Sequence, residues 1–178
     1  MTQKILKPYG GLLWDGYKSE APADSKRSEA IMVADTQDGC FYYIEETTNN
    51  EVASILFEGI KSYNESKIGE YTRNPFTIYA KSRDNNKIMG GCDGHITGIY
   101  CYVHRFWVDI EYRKKGIGRA LLHELENYAK KKHCQSVSLD TAAFQAKEFY
   151  EKLGYSVVSI VDGIIFPGYE QYFMRKML

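Results

Sequence analysis

The segment that most constrains the fold is residues 107–122, which read WVDIEYRKKGIGRALL. A strand pattern runs into a basic turn with two glycines and then into the first turns of an amphipathic helix. The first N–H groups of a helix have no intrahelical partner, and the helix dipole favours negative charge there. Glycine lets the backbone approach a phosphate because no Cβ intervenes. The segment therefore predicts an anion-binding loop; the alternative interpretation is a solvated basic turn.

Hydrophobic periodicity along the rest of the chain predicts a sheet with helices packed on it. The predicted strands cover 41–44, 76–81, 88–92, 99–109, 136–139, 155–161 and 169–174. Three helices are predicted. The first covers 52–63 and follows a capping box at 48–51, and the third covers 146–153 and ends at Gly154. The second begins at Gly116, and its inner face consists of Ile117, Leu121, Leu125 and Tyr128. Antiparallel hairpins followed by a strand–helix–strand–helix unit indicate an α/β (α+β) fold with a mixed, mostly antiparallel sheet flanked by helices.

Composition argues against several classes of protein. Lys plus Arg and Asp plus Glu both number 23, so no net charge attracts nucleic acid or an anionic membrane. Apolar runs are too short to span a membrane, and the first residues lack the apolar core of a signal peptide. The four cysteines show no spacing suited to zinc, and we expect them to be buried in a reducing compartment. We expect a cytoplasmic protein with no metal and no nucleic-acid or membrane partner; a homodimer is compatible with the sequence.

Residues 1–38 are the least regular part of the chain. A polar loop at 21–28 follows a short apolar cluster at 12–14. We therefore predict an N-terminal extension over 1–38, packed on or over the main domain, and assign that domain to 39–178.

Two motifs resemble a known family. RKKGIG, residues 113–118, resembles the R/Q-x-x-G-x-G/A signature of the GNAT superfamily of acetyltransferases. AKEFYEKLGY, residues 146–155, is similar to a second motif of that family, and the two occur in the family's order. A Rossmann dinucleotide site is excluded because the G-x-G-x-x-G spacing is absent. The resemblance covers roughly 40–178 and implies a sheet with a split between its two central strands.

The resemblance also implies acetyl-CoA as co-substrate and a set of residues that bind it. The backbone of Trp107 and Val108 would pair with pantetheine, and the loop would hold the pyrophosphate. The family often has asparagine where this chain has Ala143, so Thr141 or Gln145 would supply that polar contact. The predicted coenzyme-binding residues are Trp107, Val108, Arg113, Lys114, Lys115, Gly116, Ile117, Gly118, Arg119, Thr141 and Gln145.

Tyr150 and His104 are the candidate catalytic residues. Tyr150 matches the family position whose phenol protonates the departing thiolate, although a tyrosine packed in the core is the structural alternative. His104 would help to deprotonate the amine, because the pKa of histidine suits that task; the alternative is a histidine bonded within the sheet. Tyr102 and Glu111 are weaker candidates for the base.

The predicted function is transfer of acetyl from acetyl-CoA to a primary amine of a small molecule, by direct attack in a ternary complex. Two alternatives stay open. One is acetylation of a protein lysine or N-terminus, and the other is a non-catalytic sensor that binds acyl-CoA. The intact loop and Tyr150 argue against the sensor, and the sequence does not identify the acceptor.

Overall fold

The computed structural model describes residues 30–35, 40–163 and 167–178. These residues fall into two compact units, the first ending at Glu70 and the second beginning at Tyr71. Most of the predicted extension over 1–38 lies outside the described residues. Within the described ranges, no helix combines the length and the apolar character needed to cross a membrane.

The first unit pairs a short antiparallel hairpin with one long helix. Its elements are β1 (Ile31–Asp35), β2 (Phe41–Ile44) and α1 (Asn50–Ile68). Strand β2 and the helix were predicted. The cap differs, because the Asn49 side chain accepts hydrogen bonds from the N–H groups of Glu51 and Val52. The N-cap of α1 is therefore Asn49, whereas the predicted capping box placed the N-cap at Thr48.

The second unit is a six-stranded sheet in the order β3-β4-β5-β6-β8-β7. Its strands are β3 (Arg73–Lys81), β4 (Ile88–Thr97), β5 (Tyr100–Val108), β6 (Ser136–Ala142), β7 (Ser156–Asp162) and β8 (Glu170–Met177). All neighbours are antiparallel except β5 and β6, which are parallel. The predicted mixed, mostly antiparallel sheet is confirmed.

Helices cover one face of this sheet. They are α2 (Ile117–Lys131), which links β5 to β6, and α3 (Lys147–Glu151), which is shorter than the predicted 146–153. Leu121 and Leu125 of the predicted inner face of α2 are buried, while Ile117 and Tyr128 are half-buried. We call the side of β5 that carries Cys101, Val103 and Phe106 the helix face, because these residues belong to or pack on the core. The opposite side, with Tyr102, His104 and Arg105, is the polar face.

The sheet splits where β5 leaves β6. The two strands pair only from Tyr100–Ser136 to Tyr102–Ser138, although β5 continues to Val108. At this point β5 contains a β-bulge, since Asp93 pairs with Arg105 and Gly94 pairs with Val103, which leaves His104 as the extra residue. A bulge bends its strand and increases the local twist. The bulge therefore turns β5 away from β6 and opens the predicted split.

Gly94 allows the strands to approach closely at the bulge. A Cβ built on Gly94 would lie 1.9 Å from the Tyr102 carbonyl oxygen and 2.8 Å from the Phe76 ring. No side chain fits there without moving the backbone. The bulge at His104 thus depends on a glycine in the neighbouring strand.

Candidate active site

The free edge of β5 forms one wall of the split. The Asp109 N–H donates to the Met89 carbonyl of β4 over 3.0 Å. Peptide groups of successive strand residues point to opposite sides, so those of Trp107 also face β4, and those of Phe106 and Val108 face the split. Of the two residues predicted to pair with pantetheine, Val108 offers its backbone to the split, whereas that of Trp107 is engaged with β4. Phe106 is a wall residue that the sequence analysis missed.

A loop of unengaged N–H groups joins β5 to α2. A 3-10 turn (Ile110–Tyr112), capped by the Asp109 carboxylate, redirects the chain. Lys114 and Gly116 then adopt the left-handed conformation, with φ of 59° and 86°. In the described chain, no backbone carbonyl accepts a hydrogen bond from the N–H groups of residues 114–119. This is the arrangement that anion binding requires. The loop brings together the predicted residues Arg113, Lys114, Lys115, Gly116, Ile117, Gly118 and Arg119.

Part of the charge around the loop is neutralised within the protein. Lys87 Nζ lies 2.9 Å from Glu111 Oε2 and 3.2 Å from Asp109 Oδ2. Glu111, a weaker candidate for the base, is thus paired with Lys87. Arg113 turns back and donates its Nε–H to the Val108 carbonyl over 2.9 Å. Arg119 is exposed, and among the described residues it has no ion-pair partner, so its charge is available to a ligand.

Gly118 has a packing role as well as its place in the loop. A Cβ at this position would lie 3.1 Å from the Phe149 ring of α3 and 3.6 Å from the Val108 side chain. The absence of a side chain therefore lets α2 pack closely on α3 and on the end of β5. Any substitution at Gly118 should disturb this contact in addition to any bound phosphate.

Thr141 and Gln145 hold the turn between β6 and α3. The Thr141 hydroxyl donates to Gln145 Oε1 and accepts from the Ala146 N–H, both at 3.3 Å. Gln145 Oε1 also accepts from the Ala142 N–H over 2.8 Å. Thr141 is buried, whereas Gln145 is exposed. These bonds use the Thr141 hydroxyl locally, so the Gln145 amide nitrogen is the group left for the predicted coenzyme contact.

Tyr150 lies on the helix face, beneath the wall of the split. Its buried ring packs edge-on against Phe106, with centroids 6.0 Å apart, and against Tyr155 at 5.8 Å. Burial raises the pKa of Tyr150, and the nearby Cys92 and Asp140 raise it further. None of the described residues hydrogen-bonds its hydroxyl. The phenol is therefore a protonated donor, and its catalytic role remains a prediction.

His104 lies on the polar face, at the bulge itself. It is half-buried, and its Nε2 is 2.8 Å from Nδ1 of His95. The same Nδ1 is 3.3 Å from Nη2 of Arg73. Burial lowers the pKa of His104, and the Arg73 guanidinium contributes to this shift. His104 is thus bonded within the sheet, as the structural alternative proposed, and it also stands at the opening of the split.

Tyr102 closes the narrow end of the split. Its hydroxyl donates to Asp140 of β6, which also accepts from the Gln171 amide of β8. Tyr102, the other weaker candidate for the base, is therefore engaged by a carboxylate. The sequence analysis missed Asp140, His95 and Arg73, because their proximity to the site depends on strand register. Tyr150 and His104 consequently lie on opposite faces of the sheet beside the same split.

The cysteines take no evident part in this chemistry. Cys92, Cys101 and Cys134 are buried as predicted, but Cys40 is exposed. Burial raises the pKa of both Cys92 and Cys101 to about 12, so both thiols stay protonated. Among the residues described, no group of three or more His, Cys, Asp or Glu side chains is arranged to hold a metal ion.

A split between two parallel strands, next to a loop of unengaged N–H groups, is an arrangement suited to an extended anionic ligand. Residues 50–155 match a family model described as the acetyltransferase (GNAT) family. That match covers more than half of the chain, and the protein belongs to this family. The predicted fold and the predicted enzyme class, an acetyltransferase, are therefore confirmed.

Individual relatives agree with the family assignment. A crystal structure of an acetyltransferase from Bacillus cereus is 34% identical, with a TM-score of 0.66 over 77% of this chain and 98% of that one. Blasticidin-S acetyltransferase of Streptomyces morookaense is 28% identical over 107 residues, which are 58% of this chain and 78% of the relative. An aminoglycoside 6'-N-acetyltransferase complexed with coenzyme A shares the fold, with a TM-score of 0.53 at 20% identity, over 58% of this chain and 73% of that one.

Proposed function

We propose that this protein transfers an acetyl group from acetyl-CoA to a primary amine of a small molecule, by direct attack in a ternary complex. The observation that carries the proposal is the split, which connects the loop at 114–119 with Tyr150 on one face of the sheet and His104 on the other. A ligand that lies in the split is therefore accessible from both faces. The departing thiolate would meet Tyr150 from the helix face, and the incoming amine would meet His104 from the polar face.

The geometry of the split suits coenzyme A. Its pyrophosphate would accept hydrogen bonds from the loop N–H groups, with Arg119 as a charged partner. Its pantetheine amides would bond to the Val108 N–H and to the backbone of Phe106, since the Val108 carbonyl already accepts from Arg113. From Val108 to His104 the strand covers about 13 Å, at about 3.3 Å per residue. The thioester end of the coenzyme would thus reach the bulge.

The residues around the thioester suit acetyl transfer. The amine nitrogen attacks the thioester carbon, and His104 takes the proton that the nitrogen loses. The C–S bond then breaks, with its electron pair going to sulfur. The Tyr150 hydroxyl donates a hydrogen bond to the developing thiolate. Because burial holds the pKa of Tyr150 above its ordinary value of about 10, the phenol stabilises the thiolate through this hydrogen bond, and full transfer of its proton to sulfur is disfavoured.

Two observations favour a small acceptor. His104 is half-buried and Asp140 closes the narrow end of the split nearby, so the approach from the polar face is confined. The relative from Streptomyces morookaense is named for blasticidin S, a small molecule. Asp140 also places a negative charge beside His104, which suits a cationic amine.

Thiol release from acetyl-CoA tests the proposal across a panel of small primary amines, lysine peptides and N-terminal peptides. We expect turnover of small amines. Turnover of peptides alone would instead indicate a protein acetyltransferase. Calorimetric binding of acetyl-CoA without turnover of any amine would indicate the non-catalytic sensor.

Tyr150→Phe tests the role of the phenol in the same assay. We expect kcat to fall by about 10²–10⁴-fold, the usual range for a positioned general acid. Affinity for acetyl-CoA should change little, because the loop contacts are elsewhere. Tyr155→Phe is the matched control, since it removes a buried hydroxyl from the same ring cluster and should leave kcat unchanged. Equal kcat values in the two variants would assign Tyr150 to the core alone.

A further inference from the structure

Three basic side chains from successive strands form a chain beside the split. Arg73 of β3, His95 of β4 and His104 of β5 meet at one atom, Nδ1 of His95, which is 3.3 Å from Arg73 Nη2 and 2.8 Å from His104 Nε2. The two imidazole rings are 4.8 Å apart, and the His95 side chain is only 2% exposed. Solvent therefore has little influence on the hydrogen bonds of His95.

The donors in this chain determine where the protons lie. A guanidinium has N–H donors and no acceptor, so its contact with His95 is favourable only if Nδ1 carries a lone pair. His95 then holds its proton on Nε2, a buried atom that has no hydrogen-bond partner among the described residues. With Nδ1 of His95 as the acceptor, Nε2 of His104 must be the donor. A neutral His104 that holds its proton on Nε2 has its lone pair on Nδ1.

We propose that His95, held by Arg73, is a positioning residue that fixes the proton of His104 on Nε2 and so presents Nδ1 of His104 to the acceptor amine. The inference rests on the proposed function, in which His104 is the base. During transfer the lone pair on Nδ1 takes the proton that the attacking nitrogen releases. The Nε2–H bond to His95 stays in place, and solvent later takes the proton from Nδ1.

The charges around His104 support a base that releases its proton readily. The charged and titratable groups that face it are Arg73 of β3, Asp93 and His95 of β4, Arg105 and Tyr102 of β5, and Asp140 of β6. Arg105 is bonded to Asp93, so these two charges largely offset each other. Burial and Arg73 together lower the pKa of His104, whereas Asp93 and Asp140 oppose the shift. Burial and the Arg73 charge therefore disfavour the imidazolium form of His104.

Nitrogen NMR tests the proton positions independently of activity. The four histidines, His95, His104, His123 and His133, can be labelled with ¹⁵N and their ring nitrogens assigned. We expect both His95 and His104 to carry the proton on Nε2 at neutral pH. The exposed His133, whose ring makes no hydrogen bond to the described residues, serves as the internal reference for unrestrained exchange between the two tautomers. A His104 protonated on Nδ1 would overturn the inference whatever the enzyme acetylates.

The pH dependence of kcat/KM tests the consequence for catalysis. In His95→Leu we expect kcat to fall about 10-fold or more with little change in the KM for acetyl-CoA, because His104 loses its orientation. His95→Asn should restore most of the kcat, since its amide oxygen can accept from His104. A wild-type kcat and pH profile in a folded His95→Leu protein would refute the positioning role.

His104→Ala separates this inference from the proposed function. If His104→Ala loses the acidic limb of the pH profile while His95→Leu keeps both the wild-type kcat and the wild-type profile, the base is correct and the positioning by His95 is wrong. If His104→Ala keeps the wild-type profile, both the base and its positioning are wrong, although acetyl transfer itself stands. Absence of turnover with every amine would refute the proposed function, and the NMR measurement would still decide the tautomer.

Discussion

Acidification should unfold this protein partly through His95. Burial, with Arg73 and His104 nearby, lowers the pKa of His95 to about 4 in the folded state, against about 6.5 in the unfolded chain. Below pH 6.5 the unfolded state therefore binds a proton that the folded state does not. The stability that neutral His95 contributes is present above pH 6.5 and is lost as the pH falls towards 4.

The magnitude follows from the two pKa values. Between pH 7 and pH 5 the free energy of unfolding should fall by about 2 kcal/mol through His95 alone, at about 1.4 kcal/mol per pH unit once the unfolded state is fully protonated. For a chain of this size that corresponds to a melting temperature lower by about 4–8 °C. The lowered pKa of His104 acts in the same direction.

Urea unfolding at pH 7, 6 and 5 measures this effect, with circular dichroism as the signal. His95→Asn should lose less stability on acidification than the wild type, because it has no imidazole to protonate. His123→Asn, which removes an exposed histidine from α2, should follow the wild-type curve. Parallel loss of stability in wild type and His95→Asn would refute the assignment of the acid sensitivity to His95.

Three further substitutions probe the loop and the bulge. Arg119→Glu should weaken acetyl-CoA binding by about 10–100-fold in calorimetry, since a hydrogen bond to a charged group contributes about 1.5–3 kcal/mol. The control Lys130→Glu, at the far end of the same helix, should change the affinity for acetyl-CoA little. Gly94→Ala should destabilise the fold by about 3 kcal/mol or more in urea unfolding, because the methyl group of the alanine would meet a backbone oxygen. The control Gly59→Ala, in α1, should instead stabilise the fold by up to about 1 kcal/mol. Gly118→Asp should lower both coenzyme affinity and melting temperature; a loss of affinity alone would show that Phe149 accommodates the new side chain.

The loop could be predicted from sequence because its signals are local. The basic turn, the two glycines and the start of α2 lie within a few residues of each other, and α2 begins directly after Gly116, where the pattern indicated. Gly154 has the left-handed conformation that was predicted for it, although the C-cap of α3 is Lys152, two residues earlier. Where the backbone conformation depends on residues adjacent in the sequence, the sequence pattern was sufficient to predict it.

The extent of β4 and the composition of the polar face were harder to predict. Strand β4 continues five residues beyond the predicted 88–92, through Gly94 and His95. Glycine has a low strand propensity, yet here the close approach of β5 requires it. The grouping of Arg73, His95 and His104 depends on strand register and on a bulge, which no local pattern in this sequence marks.

The bulge at His104 gives that position an unusual freedom to change. A bulged residue has no directly opposite partner in the neighbouring strand, so its replacement leaves the pairing on either side in register. Val108 and the loop, by contrast, belong to the ladder and to the start of a helix, and substitutions there alter the backbone that holds the coenzyme. The fold thus separates two traits on which selection acts. Under the proposed function, a substitution at His104 would change the group that meets the acceptor and would leave in place the backbone that we propose for the acetyl donor.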